Sequence, residues 1–78
     1  MSNFVTFREA VTAYANGATV WLVSAGELVH GISWDRPREA FRDSRVRAEA
    51  AHACAHNLRK FVRYEDPEVR FFLSWDHD

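Results

Sequence analysis

The sequence predicts a single small α+β domain, in which a three-stranded antiparallel sheet packs against helices in the order α-β-β-α-β. Helical spacing of apolar residues appears near the start of the chain and again after residue 44. Segments of β-branched, aromatic or alternating composition occupy residues 18–24, 27–34 and 68–75. The chain of 78 residues supports only one core, because chains split into separate domains beyond roughly 250 residues. We therefore treat residues 1–78 as one domain.

The first helix is predicted over residues 7–16. Thr6 and Glu9 have the spacing of a capping box, in which each side chain accepts a hydrogen bond from the other residue's backbone amide. Gly17 can adopt the left-handed conformation that ends a helix. Four apolar residues recur at i, i+3, i+4 and i+7, which gives this helix one buried face: Phe7, Ala10, Val11 and Tyr14.

The strands are predicted to form a sheet in the order 2-1-3. Residues 18–24 and 27–34 make a hairpin around a turn at Gly26, and a right-handed crossover then brings residues 68–75 to the far side of the first strand. Strand side chains alternate between the two faces of a sheet. The set expected to face the helices is Val20, Leu22, Phe71 and Leu73. Trp21 and Phe72 are then expected on the opposite face.

The segment between the hairpin and the last strand is predicted to form two helices, over residues 37–43 and 44–63. Asp35 is the expected N-cap of the first, with Pro37 in its first turn. In one continuous helix Phe41 would leave the apolar stripe and Arg47 would enter it, so we expect a break near Asp43 and Ser44. The residues predicted to face the sheet from the second helix are Ser44, Ala48, Ala51, Cys54, Ala55, Leu58, Phe61 and Val62.

The segment AEAAHACAH, residues 48–56, suggests a metal or catalytic site because two histidines flank the single cysteine. At roughly 100° per residue, however, Cys54 points about 160–200° away from His52 and His56. The two histidines lack a third ligand, and nearby guanidinium groups repel a cation. We therefore expect no metal site and no cofactor, and we interpret Cys54 as a small core residue.

Catalytic signatures are absent from the sequence. It contains no Gly-rich phosphate loop, no nucleophile elbow and no H-E-x-x-H pattern, and a chain this short rarely encloses a large pocket. We therefore expect no enzymatic activity. The single cysteine, the lack of a long apolar run and the composition of the first ten residues indicate a cytoplasmic protein without a membrane segment.

Charge is divided unevenly along the chain. Residues 36–63 carry eight basic and three acidic residues, a local net charge of +5, whereas the remainder carries −6. A candidate partner-binding stripe on the second helix contains Arg45, His52, His56, Arg59, Lys60 and Arg63. It suits an acidic protein surface or nucleic-acid phosphates. Equally, it is typical of a solvated helix face with i, i+4 pairs such as Arg45 with Glu49.

A second candidate partner-binding surface is the face of the sheet that carries Trp21 and Phe72. Acidic residues near the ends of the third strand, Glu65, Asp66 and Glu68, would border it. An exposed pair of large aromatic residues indicates a protein-binding patch or a homodimer interface. The alternative is that part of this patch packs within the chain, for example against the N-terminal Phe4.

In length, compactness, split charge and lack of catalytic motifs, MSNFVTFREAVTAYANGATVWLVS and the segment after it resemble the small phage-encoded anti-CRISPR proteins. The resemblance extends over the whole chain but involves no shared motif. It implies a non-enzymatic inhibitor, monomeric or homodimeric, that works in the host bacterial cytoplasm. Its partner would be a protein subunit of a type I CRISPR surveillance complex (Cascade), and it would block target DNA binding. Under this resemblance either acidic residues imitate DNA phosphates, or the stripe of arginines and histidines binds an acidic subunit surface. The alternative is a small nucleic-acid-binding regulator that uses the Arg-rich helix 44–63.

Overall fold

A computed structural model of the protein describes residues 4–24 and 27–74, with residues 27–29 described for the backbone alone. It confirms the α+β fold, with a three-stranded antiparallel sheet in the order 2-1-3. The helices are α1, Phe7–Ala15, and α2, Ser44–Lys60; the strands are β1, Val20–Ser24, β2, Glu27–Ile32, and β3, Arg70–Phe72. A 3₁₀ helix, Arg38–Arg42, precedes α2, and a π-helical turn, Phe61–Glu65, follows it.

The predicted start and end of α1 both form. Thr6 Oγ1 accepts a hydrogen bond from the Glu9 amide and Glu9 Oε1 accepts one from the Thr6 amide, each 3.1 Å long. At the other end Asn16 is the C-cap, and Gly17 has φ +93°. The Gly17 amide donates to the Tyr14 carbonyl and the Ala18 amide to the Ala13 carbonyl. These two bonds form a Schellman motif, so the helix ends one residue earlier than predicted.

Strand β1 is central because it pairs with both other strands. Leu22 lies opposite His30 on β2 and opposite Phe71 on β3. The β1–β2 register shifts between Leu22 and Val23, which marks a β-bulge. Beyond β3, the Val5 amide donates a 2.7 Å hydrogen bond to the Phe71 carbonyl, so the N-terminal segment adds one bridge to the sheet edge.

The core lies between the helices and one face of the sheet. Both helices, β1, β3 and the residue before β3 contribute buried residues to it: Ala10, Tyr14, Ala15, Val20, Leu22, Ala50, Cys54, Leu58, Val69 and Phe71. Trp34 packs against this core with its ring edge-to-face on Tyr14, 6.1 Å between centroids. Among the described residues, no buried side-chain nitrogen or oxygen lacks a hydrogen-bond partner.

The predicted break between two helices is confirmed. Contacts at the break explain why Phe41 and Arg47 do not fit the apolar stripe of one continuous helix. Asp43 is the N-cap of α2, and its Oδ1 accepts a 2.8 Å hydrogen bond from the Arg45 amide. Arg47, although it faces inward, is satisfied because its Nη1 donates to the Phe41 carbonyl at 2.8 Å. Phe41 packs against the core from the 3₁₀ helix. The prediction of Asp35 as the first N-cap is wrong, since Pro37 takes that position.

Several predicted side-chain orientations and strand boundaries are wrong. Ser44 and Ala48 are exposed, and Ala50 is buried in their place. Leu73 is 43% exposed because β3 ends at Phe72, before Leu73 could face the helices. Strand β2 ends at Ile32, which leaves Trp34 outside the sheet. The predicted turn at Gly26 and the predicted strand end at Trp75 lie outside the described residues.

Candidate interaction surfaces

One side of α2 and of the π-helical turn after it carries exposed cationic and imidazole side chains, here called the basic face: Arg45, His52, His56, Arg59, Lys60 and Arg63. The exposed Glu49 lies on the same side of the helix, between Arg45 and His52. The buried side chains of the same helix, Ala50, Cys54 and Leu58, lie on its opposite side. The structure therefore places six predicted partner-binding residues together. At about 1.5 Å per residue, the basic face is roughly 27 Å long.

The acidic residue of α2 forms no ion pair with the first cation of the basic face. Glu49 is the one acidic residue of α2, and within the described part of the chain it forms no ion pair with Arg45. The i, i+4 pair between Arg45 and Glu49 is therefore not formed. Arg59 instead lies over the Phe7 ring of α1, 5.5 Å from its centroid. This cation–π contact orients the guanidinium and leaves its charge in place.

The N-terminal end of the basic face is electrostatically unusual. The first turn of α2 contains no acidic residue, and Arg45 lies within it. The N-terminus of a helix has a partial positive charge, so a cation there is unfavourable. Arg59 and Lys60 lie in the last turn, where the same dipole favours cations. Helix stability thus accounts for the cations at the C-terminal end and not for Arg45.

The C-terminal end of the basic face contains an aromatic residue that the sequence analysis missed. Tyr64 is 71% exposed, and the Arg63 guanidinium lies 5.5 Å from its ring centroid. Tyr64 also lines a shallow cavity of about 230 Å³ with Asn57, Lys60, Phe61 and Glu65. The π-helical turn places it there, because the Asp66 amide donates to the Phe61 carbonyl, five residues back. Periodicity of 3.6 residues gives no signal for such a turn.

The predicted acidic residues do not form one group with a common role. Glu65 and Glu68 are exposed directly after the basic face. Asp66 is half-buried, and its Oδ1 accepts a 2.9 Å hydrogen bond from the Glu68 amide, which closes the turn into β3. Asp66 therefore has a structural role, whereas the two glutamates limit the basic face at its C-terminal end.

Trp21 and Phe72 are adjacent on the sheet, as the sequence predicts. They are directly paired between β1 and β3, and both are half-buried rather than fully exposed. The Trp21 ring lies against Gly31, its partner on β2: a Cβ built on Gly31 would be 2.5 Å from Trp21 Cζ3. Phe4 is 62% exposed, and the Arg70 guanidinium lies 5.4 Å from its ring centroid.

Helix α2 separates the cysteine from the two histidines of AEAAHACAH. Cys54 is 1% exposed in the core, whereas His52 and His56 are exposed on the basic face. Burial raises the pKa of the Cys54 thiol to about 11, which keeps it protonated and unreactive near neutral pH. No group of three or more His, Cys, Asp and Glu side chains within residues 4–24 and 27–74 could hold a metal ion.

None of the helices that the structure describes is both long and apolar enough to cross a bilayer. No family model, curated protein or solved structure matches this chain.

Proposed function

We propose that this protein is a non-enzymatic binding protein whose basic face holds an acidic surface of a protein partner in a bacterial cytoplasm. The observation that carries the proposal is the basic face itself, with six exposed cationic or imidazole side chains on one side of α2 and no ion pair that neutralises Arg45. Complementary charge attracts such a partner and fixes its register, and it repels other cationic surfaces.

The shape of the charge distribution favours a bounded acidic surface over an extended polyanion. Glu65 is exposed and lines the same shallow cavity as Lys60, so a carboxylate lies at the C-terminal end of the basic face. A nucleic acid that continued past this end would meet its negative charge, whereas an acidic patch about as long as α2 would end before it. The net charge of the whole chain is −1, so non-specific attraction to phosphate backbones is weak.

The partner class that we propose is a subunit of a type I CRISPR surveillance complex, whose target DNA binding this protein would block. The resemblance in size, split charge and lack of catalytic motifs supports this class. The basic face adds a physical means of attachment, because it can cover an acidic subunit surface. Occupation of such a surface can inhibit a large assembly without any chemical step.

Co-migration of the purified protein with a type I surveillance complex in size-exclusion chromatography, followed by a target-DNA binding assay, tests this proposal. We expect co-migration and loss of DNA binding. The variants Arg45→Glu and Lys60→Glu should each abolish both effects, and Arg8→Glu, an equal charge change at an exposed site on α1, should retain them. If the wild-type protein elutes alone and DNA binding is unchanged, this partner class is wrong.

A second candidate function is nucleic-acid binding through the same helix, and Tyr64 is the observation that favours it. An exposed aromatic ring beside Lys60 and Arg63 is the arrangement on which single-stranded bases stack. In this case the protein should bind naked single-stranded DNA, with an affinity that falls steeply as salt increases. Tyr64→Ala should then weaken DNA binding. No affinity for naked DNA at low salt would exclude this candidate.

A further inference from the structure

We propose that an open cavity between the C-terminal end of α1 and the 3₁₀ helix binds a phosphate monoester attached to a flat ring, such as a nucleoside monophosphate. The cavity has a volume of about 480 Å³, larger than expected for so short a chain. Its lining consists of Asn16, Gly17, Ala18, Arg36, Arg38 and Phe41. None of these residues belongs to the basic face, so this site is separate from the proposed protein-binding surface.

The charge of the lining selects an anion. Arg36 and Arg38 are both exposed, and no carboxylate lines the cavity. Within the described residues, neither guanidinium is engaged in an ion pair. Arg36 lies 5.8 Å from the Trp34 ring centroid, a contact that restricts the positions of its side chain. Two guanidinium groups suit a phosphate monoester, which has three acceptor oxygens and a charge near −2, better than a single carboxylate.

The end of α1 leaves this positive charge dominant. A helix C-terminus has a partial charge of about −0.5, which opposes anion binding. Here the carbonyls of Ala13 and Tyr14 already accept hydrogen bonds from the Ala18 and Gly17 amides. The Thr12 carbonyl likewise accepts a 2.8 Å hydrogen bond from the Asn16 side-chain amide. The two positive charges of Arg36 and Arg38 therefore exceed the partial negative charge of the capped end of α1.

The aromatic wall of the cavity selects a flat apolar group. Phe41 packs against the backbone of Gly17, and a Cβ built on that glycine would lie 3.3 Å from Phe41 Cδ2. Only a residue without a side chain permits both the φ of +93° and this close approach. The ring of Phe41 is half-buried and borders the cavity together with the two arginines. A cavity of this volume falls within the range of small-molecule sites.

The test is a titration of ¹⁵N-labelled protein with three separate probes: adenosine monophosphate, inorganic phosphate and adenosine. We expect adenosine monophosphate to shift the Gly17 and Ala18 amides saturably. Phosphate should do so with an affinity about tenfold lower, because it lacks the ring that contacts Phe41, an aromatic contact that contributes up to about a factor of ten. Adenosine should cause no saturable shift, because it lacks both charge-assisted contacts, each of which contributes about a factor of ten. The Arg36→Ala and Arg38→Ala variants should each weaken binding of the monophosphate about tenfold on the same grounds.

Arg8→Ala removes an exposed arginine outside the cavity and serves as the matched control, with unchanged affinity expected. The proposal is overturned if millimolar adenosine monophosphate causes no saturable shift, or if Arg36→Ala and Arg38→Ala bind as the wild type does. Shifts that map to the amides of His52 and His56 would also overturn it, because they would assign phosphate binding to the basic face. The first two results do not bear on partner binding, which Arg45→Glu and Lys60→Glu test separately.

Discussion

The contact between Trp21 and Gly31 predicts that Gly31→Ala destabilises the protein, although alanine is normally better than glycine in a strand. A Cβ at position 31 would lie 2.5 Å from Trp21 Cζ3 and 2.7 Å from Cε3. Both atoms belong to one rigid indole, so the whole ring must move. Gly31 does not have a positive φ, and the backbone itself therefore accepts alanine. The effect of the substitution is thus a steric effect on one side chain.

Two opposing contributions set the size of the change in the free energy of unfolding. Replacing glycine by alanine stabilises a compatible site by about 0.4–1 kcal/mol, because the unfolded chain loses conformational freedom. Inserting a methyl group where a packed ring must shift costs about 1–3 kcal/mol. At central values of about 2 and about 0.7 kcal/mol the steric term exceeds the entropic one, so we expect a net loss of about 1–2 kcal/mol. For a domain of this size that corresponds to a fall in Tm of about 4–16 °C.

Urea unfolding followed by far-ultraviolet circular dichroism measures this change, and a double-mutant cycle with Trp21→Ala identifies its cause. In the Trp21→Ala background the ring is absent, so Gly31→Ala should become stabilising by about 0.4–1 kcal/mol. The sign of the effect therefore depends on Trp21. Equal destabilisation in both backgrounds, or a more stable Gly31→Ala single variant, would refute the proposed packing.

Four further substitutions give predictions of known direction. Thr6→Ala removes the capping hydrogen bond of α1 and should lower the free energy of unfolding by about 1 kcal/mol in urea titrations, whereas Thr6→Ser should retain it. Arg47→Met removes the hydrogen bond to the Phe41 carbonyl and should cost about 1–3 kcal/mol in the same assay. Cys54 should react with a disulfide reagent at pH 8 only as fast as the protein unfolds. Burial raises the pKa of the Cys54 thiol from the ordinary 9.0 to about 11, so the contribution of the thiol to the free energy of unfolding is complete below pH 9. This contribution should be lost as the pH rises toward 11, and the free energy of unfolding should therefore fall more steeply than in Cys54→Ala. Arg45→Glu should raise the Tm of the free protein, since it places an acidic residue in the first turn of α2.

Features fixed by short-range chemistry could be predicted from the sequence. The capping box at Thr6 and the left-handed Gly17 depend on residues within five positions, and both form as expected. The strand order followed from connection rules and the apolar composition of β1. The direction of the buried face of α2 does not follow from the sequence, because alanines occur on several sides of the helix and each contributes little hydrophobic signal. The prediction therefore placed Ala48 in the core, whereas Ala50 is buried and Ala48 is exposed.

Features that depend on tertiary contacts or on non-standard turns could not be predicted. The sequence marked Arg47 as an anomaly, but only the structure shows that its guanidinium satisfies the carbonyl of Phe41. Tyr64 becomes prominent through a π-helical turn, which no 3.6-residue pattern reveals. The cavity near Gly17 joins the residues directly after α1 with residues about 20 positions later in the chain. Its two arginines appeared in the sequence only as part of a general basic segment.

The distribution of cations on α2 separates the requirements of folding from those of binding. Lys60 and Arg59 lie where the helix dipole favours positive charge, so the fold alone could account for them. Arg45 lies where the dipole disfavours it. An acidic partner surface beside Arg45 would offset this unfavourable interaction, and the free energy gained would contribute to the proposed binding. A substitution at Arg45 that stabilises the free protein should therefore weaken its complex with the partner. If Arg45 affected only the stability of the fold, the same substitution would leave the affinity for the partner unchanged.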